Sequence, residues 1–185
     1  MREDGDGISN ALVTSAEIEE TRGQASVASD FRNSMRNLAA SVSVVTVGTG
    51  SEVSGFTATS VISLSVETPT ILVTINRSSA SWPLVQNGRR FAVNILSSAH
   101  LDIAETFAGR RGLKGSDRYV DPRWRQVSER VPHLIDALAV IECDLEEAIQ
   151  RYSHAILIGR VVRVVSGSSR RPLVYWQGSY NQLSE

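Results

Sequence analysis

A chain of 185 residues with 42% apolar content can bury one core unaided, so a single folded unit without disulfide or metal staples is expected. A formal net charge of −1 argues against a nucleic-acid polymer as partner, and no run approaches the roughly 18 apolar residues of a membrane-spanning helix. A lone cysteine, Cys143, excludes an internal disulfide and a cysteine-based zinc site.

Residues 1–28 read as a mobile acidic tail. Gly5, Gly7, Ser9, Asn10, Ser15 and Gly23 interrupt it, no apolar period is sustained, and its charges sum to −4, which leaves +3 on the body. The apolar stretch 8–13 is too short and too polar for a signal-peptide core, so a soluble, cytoplasmic protein is expected. Ser29 or Asp30 then caps a helix whose Phe31, Met35, Leu38 and Ala39 recur at helical spacing and cover the core. Residues 42–48 form a β-branched strand, and 55–64 return as the second strand of a hairpin. Further strands are predicted at 69–76 and 90–96. Between them a helix starts in 78–85, with Ser81 as its cap and Pro83 in its first turn. Residues 98–107 form a second short helix that turns Leu101, Ala104 and Phe107 to the core. The charged segment 109–132, with Gly112 and Gly115, has no clean period and is predicted to be a long surface excursion of the kind that often contacts ligands. Strands at 137–146, 154–165 and 173–176 complete a mainly β chain with a few helices, an antiparallel barrel. Cys143 sits in the apolar run 139–143 and reads as core packing.

The segment 55–65 alternates like a strand yet is crowded with small and hydroxyl residues. Ala58, Ser60 and Ser63 leave room for a flat ligand against the backbone, and the hydroxyls and strand-end N–H groups supply donors for a heteroaromatic rim or a phosphate. Read from the residues alone, those hydroxyls either grip a ligand or only satisfy one another within a barrel strand. The usual phosphate motifs are absent: there is no Gly-x-Gly-x-x-Gly after a strand, no Walker-type Gly-Lys-Ser/Thr, no HExxH and no Gly-x-Ser-x-Gly. His100, His133 and His154 lie in unrelated contexts, which disfavours a serine hydrolase.

Taken in order, Phe31-Arg32 with Met35, Val44-Val45-Thr46, Gly55-Phe56-Thr57-Ala58-Thr59-Ser60 with Ser63 and Ser65, Pro69 before an apolar strand, and Ser78 with Ser81 form the first half of a pattern. Its second half is Phe91-Ala92-Val93-Asn94-Ile95-Leu96, Phe107-Ala108-Gly109, Glu142-Cys143, His154 with Gly159, and Pro172-Leu173-Val174-Tyr175 with Gly178 and Tyr180. From residue 31 to 183 this set resembles the flavin reductase family, the small NAD(P)H:flavin oxidoreductases that supply two-component monooxygenases. Thr68-Pro69 stands where the family often has Pro-Pro, Ser81 where it often has threonine, and Tyr152-Ser153 where Gly-Asp often precedes the histidine.

The resemblance implies an antiparallel split β-barrel of the FMN-binding type, working as a homodimer with no membrane or nucleic-acid role. It implies FMN or FAD as the flavin, NADH rather than NADPH as reductant, and a partner monooxygenase that receives reduced flavin. Hydride passes directly between rings held about 3 to 3.5 Å apart, so no catalytic acid or base and no metal is expected. On this reading Thr57, Ala58, Thr59, Ser60, Val61, Ser63 and Ser65 hold the isoalloxazine and ribityl groups. Ser78 and Ser81, at a helix start, either cradle the flavin phosphate or only cap the helix. Arg77, Arg89 and Arg90 are taken as solvated strand-end charges. Asn94 either contacts the flavin or stitches a local bulge. His154 and Tyr180 are assigned to the nicotinamide, although a strand-end histidine paired to a carbonyl, and a terminal aromatic anchored by burial, are the plainer readings of the residues themselves. The alternative function is a module that binds FMN for electron transfer or storage without nicotinamide turnover.

Overall fold

The computed structural model describes residues 15–125, 130–167 and 171–183, and of these all side chains except those of 15–22, 24 and 25. The chain divides into two units, Met1–Leu38 and Ala39–Glu185. The described part of the first is helix α1 (Ser15–Met35) and the turn that follows it. The helix reaches back to Ser15, so residues 15–28 are helical where an unstructured arm was expected; residues 1–14 of that arm lie outside the described residues. Its Ala, Glu and Gln content outweighs the roughly 1 kcal/mol cost of Gly23. Phe31, Met35 and Leu38, expected against the core, are all exposed.

The second unit runs β1 (Ala40–Ser41), β2 (Ser43–Thr49), β3 (Glu52–Ala58), β4 (Ile62–Ser65), β5 (Thr70–Asn76), α2 (Ser81–Gly88) and β6 (Arg90–Ile95). A 3₁₀ turn, Ser98–His100, leads into α3 (Leu101–Phe107), and then follow β7 (Trp124–Arg125), β8 (His133–Leu134), β9 (Ala139–Arg151), β10 (His154–Ser166), β11 (Leu173–Trp176) and β12 (Ser179–Gln182). Seven strands form one antiparallel sheet in the order β3-β2-β6-β9-β10-β5-β4. Laid flat, its outer strands would stand about 29 Å apart at the usual strand spacing. Residues 59–61 join those two edges with at most about 14 Å of chain. The sheet therefore curls into a barrel split between β3 and β4. The segment 55–64, expected as one strand, crosses this split: β3 ends at Ala58 beside β2, and β4 begins at Ile62 beside β5.

Both faces of β2 are covered, which is why its valines run without alternation. Val45 and Val47 pack inside the barrel with Ile71, Val73, Phe91, Val93, Cys143 and Leu157. Val44, with Ala92 on the neighbouring β6, faces an outer core under α3 that includes Ile103, Ala104 and Phe107. Cys143 is buried as expected, and burial pushes its thiol pKa up to about 12. Leu101, expected to point inward with them, is exposed, and Ile103 takes the core position. Two glycines allow close approach: a Cβ on Gly55 would lie 2.8 Å from the Phe107 ring, and one on Gly159 would run into the Phe91 ring and stand 2.9 Å from the Cβ of Cys143.

The described first part of the excursion, residues 109–125, is anchored to the barrel. Phe107, Tyr119 and Trp124 form a cluster with ring centroids 5.1 Å apart pairwise, and the Tyr119 hydroxyl donates to Ser54 O at 2.5 Å. His100, fully buried, stands 3.1 Å from Asp136 through Nε2, while its Nδ1 accepts the Ser97 N–H and lies 3.1 Å from the Ser97 hydroxyl. The order Ser–His–Asp resembles a hydrolytic triad, but Ser97 and His100 are sealed from solvent, so the group ties the α3 entry to the loop before β9.

Candidate functional site at the barrel split

A groove of about 410 Å³ opens where the sheet fails to close. The end of β3 and the crossing segment supply Phe56, Thr57, Ala58, Thr59 and Ser60. The end of β5 and the turn after it add Thr74, Asn76 and Ser79, α3 adds Phe107 and Ala108, and β10 adds His154. Antiparallel pairing of β10 with β5 sets His154 directly opposite Asn76, which brings the polar ends of two strands to one mouth.

The hydroxyls here are fixed before any ligand arrives. Thr57 Oγ1 donates to Ala104 O at 2.7 Å and so ties β3 to α3, leaving the oxygen's lone pairs as acceptors. Ser60 Oγ accepts the Thr74 N–H at 3.2 Å and lies 2.8 Å from the Thr74 hydroxyl, bridging the split. Asn76 Oδ1 accepts both the N–H and the hydroxyl of Ser78 at 2.9 Å, and among the described residues its amide NH₂ makes no hydrogen bond. The groove thus has an apolar wall of Phe56, Ala58, Phe107 and Ala108 and a rim of placed donors and acceptors. Its volume lies within the roughly 300–1,000 Å³ typical of small-molecule sites. A flat heteroaromatic ring with polar edges fits that set: the wall takes the ring faces and the strand ends meet the rim.

Of the residues singled out from sequence, Thr57, Ala58, Thr59, Ser60 and His154 meet at the groove; the others do not line it. Val61 packs on the barrel core. Ser63 sits on β4 beyond the split, paired opposite Ile71, and Ser65 binds the Glu67 carboxylate at 3.2 Å. Ser81 is fully buried, 2.9 Å from the Ser54 hydroxyl, and the cap position of α2 belongs to Ala80. The donors expected free before α2 are largely spent: Ser78 on Asn76, the Ser81 N–H on Ser79 Oγ, and the Trp82 N–H on Ser79 O. Asn94 is also fully buried: its amide donates to Val44 O at 3.0 Å and its Oδ1 accepts the Leu134 N–H at 2.8 Å. Asn94 therefore stitches β2, β6 and β8 together and offers nothing to the groove. For Ser81 and Asn94 the physical reason is shared: each polar group lies where the sheet or helix packing already supplies a partner.

His154 is exposed, and its Nδ1 lies 2.9 Å from the Ser153 hydroxyl. Arg77 secures the turn before it, donating from NH1 to Tyr152 O and from its backbone N–H to Ser153 O, both at 2.9 Å. Arg89 likewise binds Leu145 O and Glu146 O, and Arg90 pairs with Asp144, so these three arginines are exposed, as expected, and also brace the barrel. Tyr180 lies outside the groove lining, half-buried against Tyr175 at 5.2 Å between centroids, with the Arg110 guanidinium 5.3 Å over its ring. Burial raises the Tyr180 pKa, and Arg110 opposes that. Ser79 lies within the segment 78–82 read as a phosphate cradle, whereas Phe56, Thr74, Asn76, Phe107 and Ala108 were not assigned to the site. The polar run Asn76-Arg77-Ser78-Ser79 directly after an apolar strand carried an Asx-turn signal that would have found Asn76.

The chain is similar to several known proteins. Residues 35–184 match the family model described as the flavin reductase like domain. An FMN reductase (NADH), RutF, of Cronobacter turicensis is 30% identical over 154 residues, covering 83% of this chain and 92% of the relative. Among solved structures, the flavin reductase component of a bacterial two-component tryptophan halogenase superposes with a TM-score of 0.78 at 28% identity, covering 85% of this chain and 99% of the other. An NADH:FAD oxidoreductase of Streptomyces globisporus, solved with NAD and FAD fragments, superposes at 0.75 with 25% identity, over 83% of this chain and 91% of the other.

Proposed function

Because the chain belongs to the flavin reductase family, we propose that its NADH-dependent flavin reduction takes place in the groove at the barrel split and serves a separate monooxygenase. Both FMN and FAD carry the isoalloxazine that this groove suits, and the proposal covers both. The observation that carries it is the meeting of Thr57–Ser60, Asn76 and His154 around one apolar-walled groove. When bound, the flavin supplies the hydride acceptor and NADH the donor. The chain's own contribution is positioning. The strand ends 57–60 and the Asn76 amide fix the ring's polar rim, Phe56 and Phe107 exclude water from one side, and His154 orients the nicotinamide. No side chain is required to transfer a proton. Among the described residues no helix is long and apolar enough to cross a membrane.

Pairing of two copies belongs to the same proposal. Ile62, Leu64 and Val66 at β4, with Val162 and Val164 on β10, leave apolar side chains exposed where a second copy would cover them, and sedimentation as a stable monomer would remove that element. The reading is tested by mixing the purified protein with NADH and free flavin. Loss of nicotinamide absorbance that saturates in added flavin is expected; a yellow protein inert to NADH contradicts it. His154→Ala is expected to raise the KM for NADH while flavin affinity holds, and equal losses in both would contradict the nicotinamide role.

A further inference from the structure

A second cavity, about 270 Å³, lies at the other end of β10. From His154 to Arg163 the strand spans about 30 Å at the usual rise per residue, so this cavity is separate from the groove. Its floor is apolar and mostly buried, formed by Val131, Leu134 and Val140, with Ile135 exposed at its edge. Arg125, Arg130, His133 and Arg163 also line it. Among the described residues the carboxylate that pairs with this lining is Glu142, whose Oε1 lies 2.8 Å from Arg163 NH1 and 3.1 Å from His133 Nε2. Arg125 and Arg130 make no ion pair among the described residues. Burial first, and then the positive charges of Arg163, Arg130 and Arg125, hold His133 below its usual pKa, opposed by Glu142, and among the described lining residues positive charge outnumbers negative.

We propose that this cavity binds a small carboxylate on an apolar ring, of the size of benzoate. Two guanidinium groups that form no ion pair among the described residues supply the planar, bidentate geometry that a carboxylate matches, and the buried valine and leucine floor takes the ring. The volume, just under the roughly 300–1,000 Å³ range of ordinary ligand sites, admits a single ring and excludes a nucleotide. The site does not depend on the flavin reading.

The test is calorimetric titration of the full chain with sodium benzoate at low ionic strength, without flavin. Saturable binding is expected in the wild type. Arg125→Ala with Arg130→Ala should weaken it at least about tenfold, as should Ile135→Asp, which sets a like charge at the edge of the floor without touching the arginines. All three changes are on exposed side chains, so the urea midpoint and the rate of NADH-dependent flavin reduction should stay at the wild-type values. Benzyl alcohol, which lacks the charge, and inorganic phosphate, which lacks the ring, should each bind at least about tenfold more weakly than benzoate. Absence of saturable benzoate binding, benzoate affinity unchanged in both variants, or phosphate binding as tightly as benzoate would overturn the proposal. Flavin turnover is read separately, so its loss would count against the function proposed above and not against this site.

Discussion

Asn94→Ala separates structural from ligand-binding roles for the one polar side chain in β6 that is fully buried. In the wild type its Oδ1 accepts the Leu134 N–H at 2.8 Å, and its amide donates to Val44 O at 3.0 Å and lies 3.4 Å from Thr46 Oγ1. Truncation leaves the Leu134 N–H buried without an acceptor, which costs about 1–3 kcal/mol. Thr46 keeps its bond to Pro132 O at 2.7 Å, so the loss on that side is small. The void left in a fully buried site adds about 1 kcal/mol, for a total of about 2–4 kcal/mol. A domain with typical stability stays folded after such a loss. Urea unfolding should show a lower midpoint at an unchanged slope, while flavin binding by the folded protein is unaltered. Asn94→Asp, which keeps the acceptor for Leu134 but sets a carboxylate against Val44 O, should destabilise further. A midpoint within error of wild type, or a flavin affinity lowered at unchanged stability, would refute the stitching role.

Gly159→Ala should destabilise by about 1–3 kcal/mol in the same assay, because the new methyl meets Phe91 and Cys143 in the barrel core. Tyr152 is 95% exposed and holds φ 50, so Tyr152→Gly relieves a left-handed residue with little packing lost and should stabilise by about 0.5–1 kcal/mol; a destabilisation would show that the tyrosine is held by contacts. His133 has its folded-state pKa held below 6.5, chiefly by burial. The unfolded chain therefore takes up the proton first as pH falls: stability is full above the unfolded value, declines below it, and levels off once the folded-state pKa is passed. Unfolding midpoints across that window should fall less steeply in His133→Asn than in wild type, and parallel curves would count against it.

The barrel was legible because its strands carry strong local signals: the valine run of β2, the apolar β5 after Pro69, and the apolar stretches on either side of Cys143. The split was implied by the family resemblance, but its place was not legible in the residues, because it depends on which neighbours β3 and β4 choose, and nothing in the alternation of 55–64 marks the change of partner at residues 59–61. For the same reason half of the groove was missed. Asn76 and Thr74 reach it only through the pairing of β5 with β10, some 78 positions apart between His154 and Asn76. Ser81 and Asn94 misled in the opposite way: a hydroxyl or amide in an apolar strand or helix start reads as a ligand contact, and only the fold shows that Ser54, Val44 and Leu134 already satisfy it. Helix α1 starts at Ser15, well before its apolar period does, because glycine and acidic residues suppress that period without removing helix propensity.

The most direct test of the central claim is a crystal structure of the protein soaked with FMN. The isoalloxazine is expected in the barrel split, its polar rim against residues 57–60 and the Asn76 amide, with His154 at the open side. Flavin bound elsewhere while that groove stays empty would contradict it.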